Sequence, residues 1–118
     1  MSETKPGVRF QKSATKATDH HTTYLDLLEI FVPGGLAAGL AVFLKENDTN
    51  AVHYKVDGTI DGTTWIAIKA ETAIAKNGST ELLPSAESKL KDPWLKLRVQ
   101  IKSQVEATHG NVTVTITG

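Results

Sequence analysis

The stretch that decides the fold class is Pro93-Trp94-Leu95-Lys96-Leu97-Arg98-Val99-Gln100-Ile101-Lys102-Ser103. On an extended chain Leu95, Leu97, Val99 and Ile101 point to one side, and Lys96, Arg98, Gln100 and Lys102 to the other. A period of two is the mark of a β-strand with one face on a core and one in water. Pro93 fits as the first residue of such a strand, where no ladder N–H is required.

The same alternation recurs on both sides of this segment. Downstream, His109-Gly110-Asn111 forms a turn, and Val112, Val114 and Ile116 then alternate with Thr113, Thr115 and Thr117. Upstream, Val52, Tyr54 and Val56 share one face, with His53 and Lys55 on the other. Asp57-Gly58 and Asp61-Gly62 each read as turns, and the second leads into Thr64–Lys69 as a tight hairpin. Asn77-Gly78 marks a further turn before a short strand at Ser79–Leu83, and Pro84–Asp92 reads as a polar connector. Between Tyr24 and Val32, Leu25 and Leu27 alternate. Leu28, Ile30 and Val32 then alternate in the opposite phase, so one extra residue at Leu27–Leu28 predicts a β-bulge. Leu36–Glu46 has helical composition, but Gly39 and the alternation of Leu40, Val42 and Leu44 favour a strand from Gly39 to Glu46. Seven to eight short strands at this spacing, with no amphipathic helix, predict an all-β, antiparallel sandwich or jelly roll over residues 23–118.

Residues 1–22 read differently. Met1, Val8 and Phe10 are their only large apolar residues, and no period is visible. Alone, such a segment buries too little apolar surface to offset its ordering entropy. It is expected to be a flexible, extended N-terminal arm in front of the sandwich domain.

Composition narrows function. The chain has 118 residues, room for one core, and its 13 basic and 13 acidic residues cancel. Zero net charge argues against a nucleic-acid partner and against attraction to an anionic membrane. There is no cysteine, hence no disulfide and no thiolate chemistry, which fits folding in a cytoplasm. The N-terminal MSETKPGVRF lacks the apolar core of an export signal. The most apolar run, Ile30–Leu44, is interrupted by Pro33, Gly34, Gly35 and Gly39 and is too short for a membrane span.

No constellation of catalytic type emerges. His20-His21 lacks a third ligand, His53 faces away from the core, and His109 sits in a turn. Asp57 and Asp61 are explained by their turns, and Glu71, Glu81, Glu87 and Glu106 are scattered singly. No serine has a nucleophile-elbow context and no phosphate loop is present. The chain is therefore expected to be no enzyme and to need no cofactor or metal. The basic face of Lys96, Arg98 and Lys102 reads as a solvated sheet face without interleaved aromatics. Trp65 and Trp94 are out of phase with their apolar neighbours. Each is either an outward platform or interface anchor, or a core or edge tryptophan covered by a loop.

The run Tyr54-Lys55-Val56-Asp57-Gly58-Thr59-Ile60-Asp61-Gly62-Thr63-Thr64-Trp65 resembles the hairpin of discoidin-like carbohydrate-binding sandwiches. Together with Asn77-Gly78-Ser79, Asp92-Pro93-Trp94, Val99-Gln100-Ile101-Lys102-Ser103 and Gly110-Asn111-Val112-Thr113-Val114, it is also similar, over residues 50–118, to small virion-associated β-sandwich proteins of tailed bacteriophages. The phage resemblance implies a structural virion protein. The form it favours is a capsid decoration (cement) protein, made in the host cytoplasm and placed on the capsid surface. Such a protein would be a homo-oligomer such as a trimer and would bind the major capsid protein. A head–tail or tail component is the alternative within that family. The first resemblance implies instead a carbohydrate-binding module, and a third option is a subunit of another bacterial assembly that docks by strand addition. On the virion reading, Lys5, Arg9, Phe10, Lys12 and Lys16 of the arm, with Trp65 and Trp94, are the candidate interface residues.

Overall fold

In a computed structural model, which describes residues 10–18, 23–33, 39–48, 50–104 and 110–118, the chain forms eight strands. They are β1 (Gln11–Ala17), β2 (Leu25–Phe31), β3 (Ala41–Glu46), β4 (Val52–Thr59), β5 (Trp65–Ile74), β6 (Ser79–Leu82), β7 (Lys96–Ser103) and β8 (Asn111–Thr117). One turn of 3-10 helix at Ser88–Lys91 lies before β7. Two four-stranded sheets run in the orders β1-β8-β3-β6 and β2-β7-β4-β5, and every pairing is antiparallel.

This order is that of a jelly roll. β1 pairs with β8, β2 with β7, β3 with β6 and β4 with β5, as in one long hairpin whose tip is the β4–β5 turn. Rolling that hairpin adds the β3–β8 and β4–β7 pairings and splits it into two layers. The alternation in the sequence then faces each strand inward. Val42 and Leu44, Val52, Tyr54 and Val56, Leu97, Val99 and Ile101, and Val112, Val114 and Ile116 make up most of the buried core. The predicted sandwich, the strand at the end of Leu36–Glu46 and the bulge are all found. The register of β2 on β7 shifts between Asp26 and Leu28, and Leu27 is buried.

Two expectations are corrected. Gln11–Ala17, assigned to a flexible arm, is strand β1, paired in unbroken register with β8. Disorder follows for this segment only when it is considered alone. The edge of β8 offers it a full hydrogen-bond ladder, and hydroxyl pairs add to it: Thr15 Oγ1 lies 2.7 Å from Thr113 Oγ1, and Ser13 Oγ 3.2 Å from Thr115 Oγ1. The expectation for residues 1–9 and 19–22 lies outside the described residues. Second, Asp57-Gly58 is no turn but the interior of β4. Gly58 is there because the Trp94 ring packs on it so closely that a Cβ would overlap the indole.

The Asp61-Gly62 turn is confirmed. Gly62 has φ of 89°, and Asp61 Oδ1 accepts from the Thr63 and Thr64 amides at 2.8 and 2.7 Å. These backbone bonds, Thr64 first, hold the Asp61 carboxyl well below the usual carboxylate range. At the end of the sandwich opposite this tip, Glu46 is fully buried with no cation paired to it among the described residues. Its carboxylate accepts from the amides of Asp48 (2.6 Å), Asn77 (3.4 Å) and Asn111 (2.9 Å), tying together three inter-strand connections.

Candidate functional site

The outer face of the β2-β7-β4-β5 sheet concentrates the charged and aromatic side chains of the described residues. Strand register decides the grouping. Lys96, Arg98, Gln100 and Lys102 project outward from β7. Glu29 and Phe31 of β2 lie on one flank, and His53, Lys55, Asp57 and Thr59 of β4 on the other.

Three aromatic rings stand over cations on this face, contrary to the expectation of a basic face without aromatics. Lys55 Nζ (4.7 Å) and Lys102 Nζ (4.9 Å) both stand against the Tyr24 ring. The Arg98 guanidinium stacks on Trp65 at 4.2 Å, and Lys96 Nζ stands 4.8 Å from the Phe31 ring. No one strand carries this pattern; Phe31 of β2, Tyr24 just before it and Trp65 of β5 supply the rings.

Each cation also has a carboxylate. Arg98 Nη2 donates to Asp57 Oδ2 at 2.9 Å, and Lys55 Nζ lies 3.9 Å from the same oxygen. Asp57 is buried, so this is the most desolvated ion pair of the face. Lys102 Nζ lies 2.9 Å from Glu71 Oε1, which also accepts from the Tyr24 hydroxyl at 2.8 Å. The Lys102 and Tyr24 hydrogen bonds hold Glu71 below its ordinary value, while burial, followed by the bond to Glu71, raises the Tyr24 phenol. His53 Nδ1 sits 3.9 Å from Glu71 Oε2, and neither it nor Arg98 Nε has a hydrogen-bond partner among the described residues. Glu71, which reads as a solitary carboxylate in the sequence, is thus the hub of a four-residue cluster. Nothing local announces this, because its partners lie on β4, on β7 and before β2.

The sequence-based candidates divide. Trp65 lies on the outer face, half-buried under Arg98. Trp94 is 7% exposed and belongs to the core, and its Nε1–H donates to the Lys89 carbonyl at 2.7 Å. It is therefore corrected from a possible outward platform to the plug between Gly58 and the 3-10 turn. Phe10 packs against the core as the residue before β1, exchanging backbone hydrogen bonds with Gly118. Lys12 and Lys16 are exposed on β1. Lys5, Arg9, His20, His21 and His109 lie outside the described residues. Among the described residues no group of three or more His, Cys, Asp or Glu is placed to hold a metal ion, and no helix is long and apolar enough to cross a membrane. A cleft of ≈ 470 Å³ beside Gly39, Leu83 and Pro84 is lined by the charged side chain of Lys91.

No protein-family model matches the chain, and neither does any curated protein. Solved structures do resemble it. PirA aligns with a TM-score of 0.62 at 11% identity, over 86% of this chain and 90% of that one. The SPBc2 prophage-derived protein YomS aligns with a TM-score of 0.49 at 8% identity, over 97% and 100% of the two chains. A chain of the infectious bursal disease virus Gx strain structure aligns with a TM-score of 0.43 at 9% identity, over 99% of this chain and 36% of that one. At these identities the likeness is one of fold, and PirA carries it.

Proposed function

We propose that the chain is a structural, non-enzymatic virion protein of a tailed bacteriophage, a capsid decoration protein that binds the major capsid protein on the outside of the head. The observation that carries this is the jelly-roll winding, an architecture used by viral capsid domains. It is joined by the sequence resemblance over residues 50–118. Fold alone assigns no function, so particle binding has to be measured. The protein is mixed with expanded heads of the phage that encodes it and sedimented. Stoichiometric co-sedimentation is expected, with a trimer by light scattering for the free protein. Failure to sediment with heads removes the proposal, and a strict monomer removes the trimer. The arm is tested by deleting residues 1–9 and not 1–22, because the longer deletion also removes β1.

A second reading is favoured by Tyr24, Phe31 and Trp65 on one sheet face, since jelly rolls also serve as lectin domains. Tryptophan emission tests it cleanly. With Trp94 in the core, a polysaccharide-induced change reports Trp65, and its persistence in Trp65→Phe excludes glycan stacking there.

A further inference from the structure

We propose that the free edge of β1 is a docking site for an extended acidic segment of a partner protein, which adds to the β1-β8-β3-β6 sheet as a fifth, antiparallel strand. The proposal deepens the virion reading by giving the class of partner segment, but its chemistry does not depend on that partner being a capsid protein.

Four edges could accept a strand, and the register separates them. β2 is bulged between Asp26 and Leu28, and β5 shifts register twice along β4. Bulges twist an edge away from pairing. β6 has only four residues. β1 has seven in unbroken register, and no described strand lies beyond it. Phe10 and Gly118 exchange both backbone hydrogen bonds, and the Thr18 amide donates to Gly110. By the alternation of an antiparallel ladder, residues 10, 12, 14, 16 and 18 bond to β8. Gln11, Ser13, Thr15 and Ala17 therefore turn their N–H and C=O groups to the open side.

Charge identifies the occupant. Lys12, Ala14 and Lys16 share one face of β1, and both lysines are exposed. Towards an added strand they occupy the non-hydrogen-bonded positions, where opposed side chains come closest. A second copy pairing through the same edge about Ala14 would set Lys12 against Lys16, a like-charge contact. A strand carrying acidic residues four apart would instead oppose both lysines at once. The bias extends beyond the strand: residues 1–17 hold Lys5, Arg9, Lys12 and Lys16 against Glu3 alone, in a chain whose charges cancel overall. The remainder is correspondingly acidic, so attraction to an acidic strand is local to this edge.

The probe is a synthetic peptide, Thr-Thr-Glu-Val-Thr-Val-Glu-Thr-Thr, added to the isotope-labelled full chain and followed by amide exchange and chemical shift. The expected result is new protection of the Gln11, Ser13, Thr15 and Ala17 amides, with the β5 and β6 amides unchanged. Lys12→Glu with Lys16→Glu weakens binding by about tenfold or more, and the peptide with lysine in place of glutamate restores it. Thr15→Pro deletes one outward donor and the hydroxyl pair with Thr113 while sparing the backbone bonds to β8. Thr15→Val, which loses the same hydroxyl pair but keeps the N–H, is its control. Binding is abolished in the first and kept in the second, in proteins whose melting is checked to be intact. The proposal is overturned if the four outward amides are unprotected at saturating peptide. It is also overturned if the charge-reversed variant binds the acidic peptide equally well. Concentration-dependent protection without peptide would assign the edge to a second copy and overturn the acidic occupant. Peptide binding and head binding fail independently, so either result can be read without the other.

Discussion

Asp57 shows how far a single residue can be misread from its neighbour. Followed by glycine, it has the signature of a turn, yet it is a buried strand residue holding Arg98 over Trp65. The glycine serves Trp94 on the core side and the aspartate serves Arg98 on the other. Both partners are distant in sequence, so local turn statistics could not reveal either role. Removing the guanidinium in Arg98→Ala leaves a buried carboxylate with only Lys55 at 3.9 Å. We expect a loss of about 2–3 kcal/mol in denaturant unfolding, with Trp65 more accessible to quencher. Gly58→Ala drives a methyl into the Trp94 indole and is expected to cost about 1–3 kcal/mol. A smaller residue at Trp94 should recover part of that loss in a double-mutant cycle, whereas a simple glycine entropy effect would add independently. Asp61 sits at the opposite extreme, exposed yet held by backbone amides. Its carboxyl is depressed below the ordinary aspartate value of about 3.9. A depressed acid stabilises the fold fully above that ordinary value and loses its contribution as pH falls through the lower, folded-state value. The tip turn should therefore persist at pH 4 and open only in stronger acid. Carboxyl carbon titration by NMR checks this, and an ordinary midpoint for Asp61 would contradict it.

At the level of elements, legibility followed periodicity. β4, β7 and β8 alternate cleanly, and the structure buries the residues that this alternation points inward, except Leu95, which lies before the start of β7 at Lys96 and is exposed. β2 was legible even in its defect, because its alternation changes phase at the bulge. β1 was not legible, because Gln-Lys-Ser-Ala-Thr-Lys-Ala carries no apolar face and owes its order to hydroxyl pairing and the ladder of β8. Its dependence on β8 has a reciprocal consequence. A chain beginning at Phe10 should melt close to the full protein. One beginning at Thr18 should melt lower, because β8 then becomes an edge and Val112, Val114 and Ile116 lose their cover from β1. Equal melting of the two shortened forms would show that β1 is dispensable. Glu46 is illegible in sequence for a related reason, since its partners are backbone amides that no side-chain motif announces. Glu46→Gln leaves only one acceptor oxygen where two carboxylate oxygens serve three amides. We expect a cost of about 1–3 kcal/mol and faster exchange at Asp48, Asn77 and Asn111, the last of which starts β8.

At the scale of the whole molecule, the winding couples the most local contact to the most distant ones. The tip turn closes five residues between β4 and β5, whereas β1 meets β8 with about a hundred residues between them. Closing that distance costs chain entropy that only the finished sheet offsets. Folding of the full chain is therefore expected in the milliseconds-to-seconds range of non-local β-proteins, and the order of events should follow the hairpin. Asp61→Ala removes the acceptor that shapes the tip, so it should slow folding more than it speeds unfolding. Val114→Ala, in the strand between β1 and β3, should mainly speed unfolding, because those pairings complete the roll. Stopped-flow chevrons for the two variants give φ near one for the tip and near zero for β8 if the roll closes last. The reverse order would mean that the β1-β8-β3 layer assembles first and that the tip is pulled shut by a preformed sheet. In that case the regular edge of β1 would be in place early, available to a partner strand before the rest of the sandwich has closed.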